Sequence, residues 1–277
     1  MKTDYKGVVI TLVVMGAFIG LALLGWSLIG NKLRARDQLR QGVQAFKGAQ
    51  YTPAVENFKK ALSLDPSLQV ARLYLATAYA NQFIPGAESD DNMKMGQQAI
   101  DEFKNVLKDD PQNANSVAGI ASIYFNMKKL DDAKDWYQKE IQLDPKNAEA
   151  YYSIGVIAWT KAYPARMKAR SDAHMDPQGT QPFKDKKAQQ ALCSANMPIV
   201  DEGFKDLNKA VEIRPDYDDA MAYINLLYRE KADCEDSVAD HDKDLETANS
   251  WVEKLMKVKD AKAAKAAATP NGQIAPQ

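Results

Sequence analysis

The sequence predicts an all-α chain: a transmembrane helix, then a solenoid of about four to five helical hairpins, with an insertion in the fourth and a capping helix at the end. Three observations carry this expectation. Residues 8–29, VVITLVVMGAFIGLALLGWSLI, contain no charged side chain. Beyond residue 35, apolar residues recur at the i, i+3, i+4, i+7 spacing of a buried helical face. Helical stretches then stop at Pro66, Pro111, Pro145 and Pro215, in the similar settings LSLDP, LKDDP, IQLDP and VEIRP. Proline lacks a backbone donor and clashes with the preceding turn, so each of these is a stop.

In chain order, residues 1–7 form a short leader and 8–30 the anchor. The 22 residues of 8–29, none of them charged, rise roughly 33 Å as a helix, enough to cross the hydrocarbon of a bilayer. A cleaved signal peptide is the alternative, but the residues after Trp26 make a poor cleavage site. Gly16 and Gly20 form a G-x-x-x-G pair that lets another membrane helix approach; the alternative is that glycine is simply common in such helices. Lys2 and Lys6 precede the span, and Lys32, Arg34, Arg36 and Arg40 follow it. That asymmetry leans toward a cytoplasmic-facing domain, whereas the layout of short leader, anchor and long domain is that of bacterial inner-membrane anchors with an exported, periplasmic domain. The expectation is a single-pass membrane protein of the second kind.

The clearest hairpin is Ala114–Pro145. Val117, Ile120, Ala121 and Tyr124 mark one apolar face, and Ala133, Trp136, Tyr137 and Ile141 mark the next. Small and aromatic residues recur in the same frame at Gly42, Ala54, Phe58 and Ala61, at Ala76, Tyr79, Ala99 and Phe103, and at Gly155 and Ala210. This arrangement resembles the tetratricopeptide repeat, a 34-residue helix-turn-helix unit. Pro111 and Pro145 are 34 residues apart, one bare repeat. Pro66 to Pro111 is 45, with the excess near 81–92 around Pro85 and Gly86; Pro145 to Pro215 is 70, read as one repeat with an insertion rather than two repeats. The expected repeats are 35–68, 69–112, 113–147 and 148–217, the last with an insertion at about 160–198. A hairpin with a capping helix follows over 218–263, and 264–277 reads as a disordered tail.

The resemblance implies a concave groove lined by the first helix of each repeat. Carried onto this sequence, its wall is Leu39, Val43 and Phe46, then Leu73, Thr77 and Asn81, then Ala118, Ser122 and Asn126, then Tyr152, Val156 and Trp159, with Tyr223 and Leu226 after them. The alternative for any one of them is burial between helices. Family members that clamp a terminal carboxylate use paired Lys and Asn where this chain has Leu39, Val43, Leu73 and Thr77. An apolar protein or peptide segment is therefore the expected ligand.

The net charge of -1 and pI of about 6.2 give no basic stripe, so no nucleic-acid partner is expected. Cys193 and Cys234 stand at similar distances on either side of Pro215, so antiparallel helices bring them to one end as a candidate disulfide; two buried thiols are the alternative. His174 and His241 are lone histidines in polar surroundings, short of the three or four convergent ligands of a metal site. No cofactor motif and no acid-base constellation occurs, so no enzyme is expected. The leading functional expectation is a membrane-anchored adaptor that holds a protein partner in its groove. Its alternatives are a fixed accessory subunit of a membrane complex, in contact with other membrane subunits, and a holdase-like chaperone for exported chains.

Overall fold

The computed structural model describes Met15 and residues 29–268, and ten helices make up its regular structure there. They fall into two compact units, Met1–Lys129 and Leu130–Gln277. Among the described residues no helix is long and apolar enough to cross a membrane. The expected transmembrane helix, and the single-pass membrane localisation built on it, are corrected accordingly. The described helices carry charged side chains at short intervals, as Lys32, Arg34, Arg36, Asp37 and Arg40 do within 29–47. Nearly all of 8–30, Gly16 and Gly20 included, lies outside the described residues.

The first unit holds α1 (29–47), α2 (Tyr51–Leu64), α3 (Gln69–Gln82), α4 (Asp90–Asp109) and α5 (Ala114–Asn126). Helix α3 packs against α2 and α4, and α4 against α5. The buried residues of α2 are Ala54, Val55, Phe58 and Ala61, one stripe of the helix. Close packing here depends on glycine. A Cβ on Gly42 would sit 2.5 Å from the Phe58 ring, and one on Gly119 would sit 2.7 Å from Phe103.

The second unit holds α6 (Leu130–Leu143), α7 (Ala148–Asp172), α8 (Lys186–Ile213), α9 (Asp218–Ala232) and α10 (Val238–Ala268). Helices α7 and α8 share the broadest contact, α9 packs on α8 and α10, and α6 packs on α7. Val200, Leu207, Ile224 and Leu227 are fully buried at the centre. The clearest sequence hairpin is thus divided, with α5 closing the first unit and α6 opening the second.

Pro66, Pro111, Pro145 and Pro215 each lie two residues past a helix end. The aspartate before the proline helps to shape two of these turns: Asp65 Oδ1 accepts from Ser67 N at 3.1 Å and Asp144 Oδ1 from Lys146 N at 2.9 Å. Carboxylates that bond the backbone two residues on stabilise a turn over a further helical step. After Pro111 and Pro145 the next helices start on Asn113 and Asn147, whose side-chain oxygens accept from Ser116 N and Ala150 N.

Two expectations about irregular segments change. Between Pro145 and Pro215 the chain forms two long helices, α7 and α8, which enter the insertion expected at about 160–198 from both sides and contain Pro164 and Pro198. A proline inside a helix removes one backbone hydrogen bond, so the packing of the surrounding unit must outweigh that loss. Near Pro164, Asn196 of α8 donates to the Ala162 carbonyl at 2.9 Å. Only 173–185 is irregular. The tail reading also shifts: 264–268 is helical, the end of α10.

Candidate partner-binding site

Helices α7 and α9 bring a set of aromatic side chains together. Tyr152 packs on Tyr217 at 5.0 Å between ring centroids and on Tyr223 at 5.7 Å. Trp159 meets Tyr223 at 5.5 Å and stacks on Tyr163 at 4.8 Å. The spacing makes the wall: residues 152, 159 and 163 lie along one side of α7, and 223 faces them from α9. Tyr217 is buried, while Tyr152, Trp159, Tyr163 and Tyr223 are partly exposed.

Polar groups close both ends. At one, Glu149 accepts from the Tyr217 hydroxyl and from Arg214 at 2.9 Å, and the Arg214 guanidinium lies 4.2 Å from the Tyr217 ring centre. Burial and this bonded carboxylate raise the Tyr217 pKa, so its hydroxyl is a fixed donor. At the other end is a recess of about 300 Å3 lined by Trp159, Tyr163, Arg166, Gln178, Arg229 and Glu230. Burial pushes the Glu230 carboxyl up to about 7, with Arg166 acting against it. Its Oε2 has no hydrogen-bond partner.

Gln178 belongs to the irregular segment 173–185, which two buried arginines pin down. Arg166 donates to the Gly179 carbonyl at 3.0 Å, and Arg170 donates to the carbonyls of Asp176 and Gln181 at 2.9 and 3.1 Å. Both also pair with the Asp233 carboxylate, at 2.6 and 2.7 Å. Gln189 of α8 donates to the Asp233 carbonyl, and the adjacent Cys234 is joined to Cys193 with Cα atoms 5.4 Å apart. Three helices and the irregular segment are thereby tied at one point.

The groove residues read from the sequence divide into several groups. Tyr152, Trp159, Tyr223 and Leu226 are partly exposed on α7 and α9. Val156 is only 7% exposed and belongs to the core, a correction, because it faces the packed side of α7. In the first unit Leu39, Val43, Leu73 and Thr77 are partly exposed, and Phe46 lies edge-on to Tyr51 and Tyr74. Asn81 and Ser122 are exposed, and Ala118 and Asn126 partly so. Thr77 and Asn81 donate to their own helix backbone, at the Leu73 and Thr77 carbonyls. Leu73, Tyr74, Thr77, Phe103, Asn115 and Gly119 line a recess of about 500 Å3.

Tyr163 and Tyr217 were missed, although Tyr163 stands one turn beyond Trp159. Arg166, Arg170 and Asp233 carried no sequence signal, since the pairs span 67 and 63 residues. His241, a lone histidine in a polar stretch of sequence, is a buried member of α10. Among the described residues no group of three metal-ligating side chains converges.

The class of protein defined so far is an all-helical set of packed hairpins presenting an aromatic wall. Comparison with known proteins shows what it is similar to: residues 121–161 match the TPR repeat model. Small glutamine-rich tetratricopeptide repeat-containing protein 2 of Mycosarcoma maydis is 27% identical over 118 residues, 42% of this chain and 30% of that protein's length. Among solved structures, a crystal structure of the MamA protein superposes with TM-score 0.56 at 17% identity, covering 88% of this chain and 98% of that one. MamA residues 41 to the end from Desulfovibrio magneticus RS-1 give 0.55 at 14%, covering 82% and 96%. YrrB, described as a TPR protein with an unusual peptide-binding site, gives 0.51 at 16%, covering 80% and 85%. These matches support a tetratricopeptide-repeat fold.

Proposed function

We propose that this chain is a scaffold without a catalytic step, which binds an extended or helical apolar segment of a protein partner. The observation that carries the proposal is the row of partly exposed rings Tyr152, Tyr223, Trp159 and Tyr163. Rings anchored on one another lose little side-chain entropy on binding and offer large apolar contact, which is why aromatic residues dominate binding hot spots. The 500 Å3 recess at Leu73, Tyr74 and Phe103 offers a second apolar contact in the first unit. The peptide-binding site named for YrrB lends the reading support from a protein of similar fold.

The test is capture of partners by the full chain, comparing the native sequence with Tyr152→Ala/Trp159→Ala. Truncating two hot-spot rings costs about 2 kcal/mol or more each, so partners recovered by the native chain are expected to be lost. Unchanged recovery by a variant that is still folded would count against the wall.

A further inference from the structure

The second unit carries another recess, which shares no residue with the aromatic wall. It measures about 640 Å3 and is lined by residues of α6, α7 and α8. Ile141, Tyr151 and Ile154 supply its apolar surface, and Gln138 and Gln142 stand on the α6 side. Its charged residues all come from α8: Glu202, Lys205, Asp206, Lys209 and Glu212.

Most of those charges are already matched. Glu202 pairs with Lys134 at 2.6 Å, Glu212 pairs with Lys209 at 2.7 Å, and Lys205 is exposed. Asp206 is different. It is 8% exposed, and among the described residues no hydrogen bond or ion pair reaches its carboxyl. A buried acid without a partner is costly and uncommon. Burial pushes it up to about 6, against the pull of Lys205 and Lys134 and with the help of Glu202. An apolar surface beside one unmatched carboxyl is complementary to a positive charge carried on a hydrocarbon stem: the stem covers Ile141 and Tyr151 while the charge meets the acid.

We infer that the recess between α6, α7 and α8 is a binding site for an aliphatic ammonium group, with Asp206 as its counter-ion. The ammonium is supplied by a free alkylamine or by a lysine side chain of another protein. Binding requires the ionised carboxylate, so a bound cation releases the Asp206 proton.

The full chain is titrated with n-hexylamine, with n-hexanol as its uncharged counterpart, and with Nα-acetyl-lysine methylamide, following the methyl NMR signals of Ile141 and Ile154. Saturable hexylamine binding at pH 7.5 is expected, at least ten-fold tighter than hexanol and about ten-fold weaker at pH 5, where Asp206 holds its proton. Asp206→Asn is expected to remove the preference for the amine. Gln138→Trp, from an exposed position on α6, is expected to fill the recess and block binding while Asp206 stays in place. Binding of the lysine derivative as well assigns the site to a partner's side chain, and binding of hexylamine alone assigns it to free amines. Equal affinity for hexanol, unchanged amine binding by Asp206→Asn, or no saturable binding at all would overturn the inference.

Discussion

Gly155 shows how little room the second unit leaves. A Cβ at this position would lie 2.3 Å from Leu207 Cγ, in the contact between α7 and α8. Leu207 is fully buried and has nowhere to retreat. Gly155→Ala, which raises helix propensity in isolation, is therefore expected to destabilise the chain by about 1–3 kcal/mol through overpacking. Urea unfolding of the two chains side by side checks this; a neutral or stabilising result would show that the helices can part. That Gly155 is a small-residue position was legible from the repeat frame. Its partner was not, because Leu207 is 52 residues away in the sequence and no spacing rule links them.

At the scale of elements, the irregular segment 173–185 depends on Asp233. Its carboxylate is 1% exposed and faces two arginines, of which Arg170 is completely buried. Breaking a buried pair by removing one partner costs about 3–5 kcal/mol, because a charge is left unmatched in a poor solvent. Asp233→Asn is expected to show that loss and to expose the amides of 173–185 to hydrogen exchange, with the amides of α2 and α3 unchanged. Helices and stops were readable in the sequence because they are local: periodic apolar residues and the prolines that follow them. The insertion expected at about 160–198 is shorter in the structure, because α7 and α8 run through Pro164 and Pro198 and pack along each other. The aromatic wall was half legible, since Tyr152 and Trp159 follow the repeat frame while Tyr163 and Tyr217 join it through packing.

For the molecule as a whole, the raised carboxyls set a pH dependence. Glu230 titrates near 7 in the folded chain against an ordinary value of 4.5, and Asp206 near 6 against 3.8. Between the ordinary and the folded values, the folded state holds protons that the unfolded state has released. Stability is therefore fully present below about pH 4 as far as these two groups are concerned, and it declines as pH rises to 7. For Glu230 alone the decline is on the order of 3 kcal/mol. Glu230→Gln is expected to flatten most of it, as measured by chemical unfolding at pH 5, 6, 7 and 8; a curve that rises over this range in the native chain would contradict the assignment.

The link between Cys193 and Cys234 also makes part of this chain a closed ring, which runs down α8, around the Pro215 turn and back up α9. A chain severed in that turn is still one molecule. Its two pieces cannot diffuse apart until a reductant opens the sulfur bridge, so a cleavage there adds only the mass of one water and separates into fragments only after reduction.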